Sequence, residues 1–120
     1  MARILIIDDN EQDRIIIKRF LKKAGYADTS EAANGEEGLE KAAAERPSLI
    51  ITDTMLPGID GFEVCSRLKK SSERSNAKII VMTGAIDAVD AVKAKKAGAD
   101  DYCVKTSDAA PLLEAVRKLL

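Results

Sequence analysis

The feature that most constrains this chain is an alternation. Short strand-like runs at residues 3–7, 28–32, 49–52, 78–82 and 101–104 are each followed by a longer segment of helical period. Strands that recur this way are joined by crossover helices, so the pattern predicts five βα units around a parallel sheet with helices on both faces. The first run carries four consecutive aliphatic residues, as strands buried on both faces do, whereas 28–32 is polar and suits a sheet edge. A length of 120 residues suits one core, so residues 1–120 are expected to form a single domain.

The helical segments carry recognisable start and stop signals. Asn10 caps the first, which presents Ile15, Ile16, Phe20, Leu21 and Ala24 to the core and stops at Gly25. The second covers 35–44, and Pro47 keeps it from running into the third strand. Pro57-Gly58 marks a turn before Asp60, which caps a third helix with Phe62, Val64, Cys65 and Leu68 inside; a polar loop at 71–76 follows. The fourth, 87–97, has mostly Ala and Val on its inner side and ends at Gly98, so it is the least firmly held and the one expected to move. Ser107 or Asp108 caps the fifth, with Pro111 in its first turn and Leu112, Leu113, Val116 and Leu120 as its buried stripe.

Composition removes whole classes of chemistry. Histidine is absent, which excludes imidazole acid/base catalysis, Ser-His-Asp triads and a phosphohistidine within the chain. Cys65 and Cys103 lie in a helix and a strand and read as buried free thiols; two cysteines and no histidine do not make a zinc site. Aromatics are 3% of residues, and no glycine-rich phosphate loop follows a strand, which argues against a flavin binder. A net charge of −1 with dispersed lysines offers no patch for nucleic acid. The longest aliphatic run, 4–7, falls far short of the roughly 20 residues of a membrane span, and no signal peptide is evident, so a cytoplasmic location away from membranes is expected.

Polar residues gather at the strand ends, where open α/β sheets bind their ligands. Asp8 and Asp9 follow the first strand, Asp53 the third, Thr83-Gly84 the fourth and Lys105 the fifth. Taken singly, these are a helix cap, loop carboxylates, a turn hydroxyl and a surface charge. In a sheet of order 2-1-3-4-5, however, the three carboxylates flank one crevice and require a cation. Mg²⁺ fits better than Ca²⁺, which wants more protein oxygens. Asp53 can then attack phosphorus, Lys105 can neutralise the transferring group, and Thr83 can hydrogen-bond a phosphoryl oxygen once one is present.

The segments ILIIDDN, IITDTMLPGIDGFEV, IIVMTG and GADDYCVK resemble response-regulator receiver domains, of the chemotaxis-regulator-like kind, over essentially the whole chain. The resemblance implies a flavodoxin-like fold and a phosphorylation switch. Asp53 would be the phosphoacceptor; Asp8 and Asp9 the acidic pair for Mg²⁺, joined by the Met55 backbone carbonyl; Thr83 the switch hydroxyl; Lys105 the phosphate-binding lysine; Tyr102 the aromatic switch. Gly84 and Ala85 follow the switch hydroxyl, and Met55 and Ala85 occupy positions that influence dephosphorylation in the family. It implies a sensor histidine kinase or histidine phosphotransfer domain as donor, an effector domain or downstream protein as target, and a monomer or phosphorylation-dependent dimer. The helix 4, strand 5 and helix 5 surface would carry the output.

One position departs from the family, which usually has a proline with a cis bond after the lysine. Here it is Thr106. A cis bond before a non-proline residue costs about 3–4 kcal/mol, so the Lys105–Thr106 bond is expected to be either trans, the preferred reading, or a strained cis. Two rivals remain. A Mg²⁺-dependent phosphohydrolase that also forms an aspartyl phosphate would have an acid at Met55; a degenerate receiver would bind partners without modification.

Overall fold

The computed structural model describes residues 2–71, 76–84 and 88–120. Its elements run β1 (Ile4–Ile7), α1 (Glu11–Lys23), β2 (Thr29–Ala32), α2 (Gly35–Glu45), β3 (Leu49–Asp53), α3 (Gly61–Lys70), β4 (Lys78–Thr83), α4 (Ala88–Ala97), β5 (Asp101–Val104) and α5 (Ala110–Leu119). The five strands form one sheet of order β2-β1-β3-β4-β5, and every neighbouring pair is parallel. This is the order of the flavodoxin-like fold that the resemblance implies, with the polar β2 at an edge as its composition suggested. The expected loop at 71–76 lies mostly outside the described residues, as does the expected helix start at Asp87.

The two-residue period of the strands divides the core into two layers. Ile4, Ile6, Leu49, Ile51, Ile80 and Met82 face one side, where Ile17 and Leu21 of α1 and Leu112 and Val116 of α5 cover them. Leu5, Ile7, Ile50, Ile79 and Val81 face the other, beneath Ala42 of α2, Val64, Cys65 and Leu68 of α3 and Ala94 of α4. α4 fully buries only Ala94, while Val89 and Val92 face solvent. Its grip on the sheet is accordingly slight. Cys65 and Cys103 are buried free thiols, and burial pushes them up to about 11 and about 12 respectively. No helix among the described residues is long and apolar enough to cross a membrane.

Four local expectations need correction. Val89 and Val92 of α4, expected on its inner side, are exposed, because the helix turns Ala94 toward the sheet. In α1 the buried residues are Ile17 and Leu21, with Phe20 partly covered; Ile15, Ile16 and Ala24 are exposed. The helix is turned so that Arg14 and Lys18 reach Glu31 on the polar edge strand, at 3.1 and 2.9 Å, and this brings 17 and 21 over the sheet. In α5 the cap position is Ala109, in the left-handed region at φ 55°, not Ser107 or Asp108. A turn that closes from the Ala109 N–H to the Thr106 carbonyl delays the helix, and Asp108 instead accepts from the Ala110 N–H at 3.0 Å. Leu120 is exposed, and Ala115 joins Leu112 and Val116 in the buried stripe. The Asn10 and Asp60 caps form as expected, accepting from the Asp13 and Glu63 N–H groups, and Asn34 caps α2 in the same way.

Candidate functional site

Because all five strands run in parallel, their C-terminal ends lie at one edge of the sheet, and the residues that follow β1, β3, β4 and β5 converge there. β1 delivers Asp8 and Asp9, and β3 delivers Asp53. One carboxylate oxygen of each lies within 4.8 Å of one from each of the others. Asp8 is buried, Asp53 half-buried and Asp9 exposed. Lys105, just past β5, reaches into the same space. Its ammonium donates to Asp8 Oδ2 at 2.8 Å and Asp53 Oδ2 at 3.1 Å.

Backbone contacts fix these side chains. Asp8 Oδ1 accepts from the Asn10 N–H at 2.9 Å, and Arg14 donates to the Asp8 carbonyl at 2.6 Å. The Lys105 N–H donates to the Thr83 carbonyl at 2.7 Å, tying the loop beyond β5 to the end of β4. Behind Asp53, Gly61 opens α3 so close to the chain that a Cβ there would stand 2.0 Å from the Asp53 carbonyl oxygen. Glycine at 61 is therefore what allows α3 to start directly under the site, and its N–H donates to the Thr54 carbonyl at 3.0 Å.

Four carboxylates share this corner, because the structure adds one that strand-end reasoning missed. Asp13, in the first turn of α1, accepts from the Lys105 ammonium at 2.9 Å. Its only sequence signal was an acid at a helix N-terminus, which ordinarily needs no further explanation. Burial, aided by the Asp8 charge, raises the Asp53 carboxyl above its ordinary value; Lys105 and a hydrogen bond from the Met55 backbone oppose this without overcoming it. Burial pulls the Lys105 ammonium down, yet hydrogen bonds to Asp8 and Asp13 and the Asp53 charge outweigh it, so Lys105 is held above its ordinary value and stays protonated. The partners of one ion pair thus both move up. For Asp53 the direction follows first from burial, to which the neighbouring Asp8 charge adds.

This donor set suits a hard cation. Asp8, Asp9 and Asp53 offer three oxygens at one point, and the strain on the Asp53 charge is of the kind a divalent ion relieves. Thr83 is buried at the end of β4 beside this group. Met55 is 79% exposed, and its backbone N–H donates to the Asp53 carboxyl. Gly84 is exposed, and Ala85 lies outside the described residues. Tyr102 is half-buried against the α3 and α4 layer, and its hydroxyl is buried with no hydrogen-bond partner among the described residues. No cis peptide occurs among the described residues, so the Lys105–Thr106 bond is trans, as Thr106 led us to expect.

Comparison with known proteins agrees with this architecture. Residues 4–117 match the family model described as the response regulator receiver domain. The transcriptional regulatory protein AfsQ1 of Streptomyces coelicolor is 38% identical over 120 residues, covering 100% of this chain and 52% of that protein. Protein PilH of Pseudomonas aeruginosa is 34% identical over 120 residues, covering 100% of this chain and 98% of PilH. The chain therefore spans about half the length of AfsQ1 and nearly all of PilH. Among solved structures, the response regulator TrrA of Thermotoga maritima, in complex with Mg²⁺-BeF, superposes with a TM-score of 0.89 at 38% identity, covering 100% of both chains.

Proposed function

The chain belongs to the response regulator receiver domain family of two-component signalling, and from that premise we propose that it accepts a phosphoryl group on Asp53 and thereby changes the surface formed by α4, β5 and α5. Receiver domains are phosphorylation switches, not turnover enzymes. The observation that carries the proposal is the meeting of Asp8, Asp9 and Asp53 within 4.8 Å, with the Lys105 ammonium 3.1 Å from Asp53. In this reading residues 1–120 act as one receiver unit.

Asp8, Asp9, Asp53 and the Met55 backbone carbonyl would hold Mg²⁺, which when bound supplies charge neutralisation to the transferring phosphoryl group. The Mg²⁺-BeF complex of TrrA supports that assignment, since beryllofluoride on a carboxylate has the shape and charge of a phosphoryl group. An Asp53 oxygen forms the new bond to phosphorus as the donor's bond to phosphorus breaks, and the departing group leaves with its electron pair. Lys105 neutralises charge on the phosphoryl oxygens, and Thr83 supplies a hydroxyl to one of them.

These 120 residues contain no histidine, so a phosphohistidine donor lies outside them, and in this reading it is a sensor histidine kinase or a histidine phosphotransfer domain. Tyr102 supports a two-state surface. Its buried hydroxyl has no hydrogen-bond partner among the described residues, and an outward rotamer would return it to water. Exposed Val89 and Val92 give α4 an apolar face for a downstream protein or effector domain. Incubation with Mg²⁺ and acetyl phosphate, followed by intact mass measurement, tests the core of the proposal. One phosphoryl group should appear on the wild type and none on Asp53→Asn or in EDTA. A wild type that stays unmodified across conditions would instead indicate a receiver that works through binding alone.

A further inference from the structure

Lys105 has three N–H donors, and each points at a carboxylate: Asp8 at 2.8 Å, Asp13 at 2.9 Å and Asp53 at 3.1 Å. A phosphoryl group on Asp53 inherits the N–H that now serves the Asp53 carboxylate, and can gain a second only if Asp8 or Asp13 gives way. The three partners are not equivalent. Asp8 is fixed on its other oxygen by the Asn10 N–H and is 1% exposed. Asp53 is itself the acceptor. Asp13 stands outside the metal-binding trio, its side chain is 37% exposed, and it sits on a helix rather than at a strand end.

Asp13 and Lys105 also stand together at the lip of a recess of about 210 Å³, walled by Ile16, Ile17, Met82 and Ala109. This apolar wall gives the lysine stem somewhere to lie on the α1 side while its head stays bound to Asp13. The one ammonium is thus shared between α1, through Asp13, and the end of β3, through Asp53.

We propose that Asp13 is a positioning residue that competes with the phosphoryl group for the Lys105 ammonium, lowering the affinity of the site for phosphoryl ligands and slowing phosphoryl acceptance. The inference rests on the phosphoacceptor reading of Asp53. Charge sharing gives it its sign: a carboxylate and a phosphoryl oxygen on one ammonium repel each other, so a negative charge at 13 opposes the modified state.

The test compares wild type with Asp13→Asn, Asp13→Ser and Asp13→Glu at saturating Mg²⁺. Beryllofluoride affinity is read by fluorine NMR, and acetyl phosphate reactivity by intact mass. In metal-free protein the Lys105 ammonium is followed by nitrogen NMR and identified through Lys105→Ala. Asp13→Asn and Asp13→Ser should bind beryllofluoride roughly two- to fivefold more tightly, the range of a charge pair that partly faces solvent, and take phosphoryl faster. Asp13→Glu should return both toward wild type, and the metal-free ammonium signal should exchange faster in Asn and Ser than in wild type. Folded Asn and Ser variants whose beryllofluoride affinity is unchanged or weaker overturn the inference. A wild type that neither binds beryllofluoride nor takes phosphoryl fails earlier and overturns the Asp53 reading itself.

Discussion

The surroundings of Asp53 resist its ionisation. Burial and the neighbouring Asp8 raise its carboxyl above the ordinary 3.8, despite the Lys105 ammonium. A carboxyl whose pKa is higher in the folded than in the unfolded chain binds its proton more tightly when folded. The favourable contribution is then fully present below about pH 3.8 and is lost as pH rises through the folded value. At pH 7 the charge is a net burden on the metal-free fold. Asp53→Asn should therefore unfold at a higher temperature than wild type in EDTA at pH 7, with the gap closing as pH falls toward 3.8; calorimetry across that range measures it. A lower midpoint for Asp53→Asn at pH 7 would mean that the Lys105 pairing outweighs burial. At this scale the sequence was only partly legible. Asp8, Asp9, Asp53, Thr83 and Lys105 could be read because each ends a strand, whereas the bond between Asp13 and Lys105 joins residues 92 apart and is visible only once α1 is wound.

Elements meet at the site through contacts that tolerate little change, and the start of α3 is the tightest. A methyl group at Gly61 would stand 2.0 Å from the Asp53 carbonyl oxygen, and backbone on that side cannot swing away as a side chain could. Gly61→Ala should lower stability by about 1–3 kcal/mol, the usual cost of overpacking, and should slow phosphorylation by displacing the end of β3. Urea unfolding and intact mass measurement read the two effects separately. In the sequence this glycine looked like any residue after a capping Asp60, because a steric need set by a neighbouring backbone leaves no local pattern. Strands and most helix ends were legible for the opposite reason: aliphatic runs, Asn and Asp caps and terminal glycines act within a few residues. The α1 face was misread because its rotation answers to Glu31 on a separate strand. The α5 start was misread because the turn at Thr106 and Ala109 intervenes.

For the whole molecule, the consequence of building a site from strand ends is that a ligand there grips the fold at several places together. Asp8 and Asp9 follow β1, Asp53 ends the central β3, and Lys105 ties to both through Asp8 and Asp53 while its own backbone is bonded to Thr83 at the end of β4. These carboxylates come together only in the folded chain, so Mg²⁺ binding should feed directly into global stability. At a concentration one hundred times its dissociation constant, a ligand specific to the folded state adds about 2.7 kcal/mol. For a domain of this size that corresponds to a rise of roughly 10 °C in the unfolding midpoint. The rise should be reversed by EDTA and much reduced in Asp8→Asn, which removes one of the three oxygens and the best-buried partner of Lys105. Sodium chloride at matched ionic strength should not reproduce it, because screening lowers like-charge repulsion without bridging the strand ends. Scanning calorimetry under these conditions distinguishes a bound ion from simple screening. An equal response to Mg²⁺ in wild type and Asp8→Asn would place the cation elsewhere on the molecule.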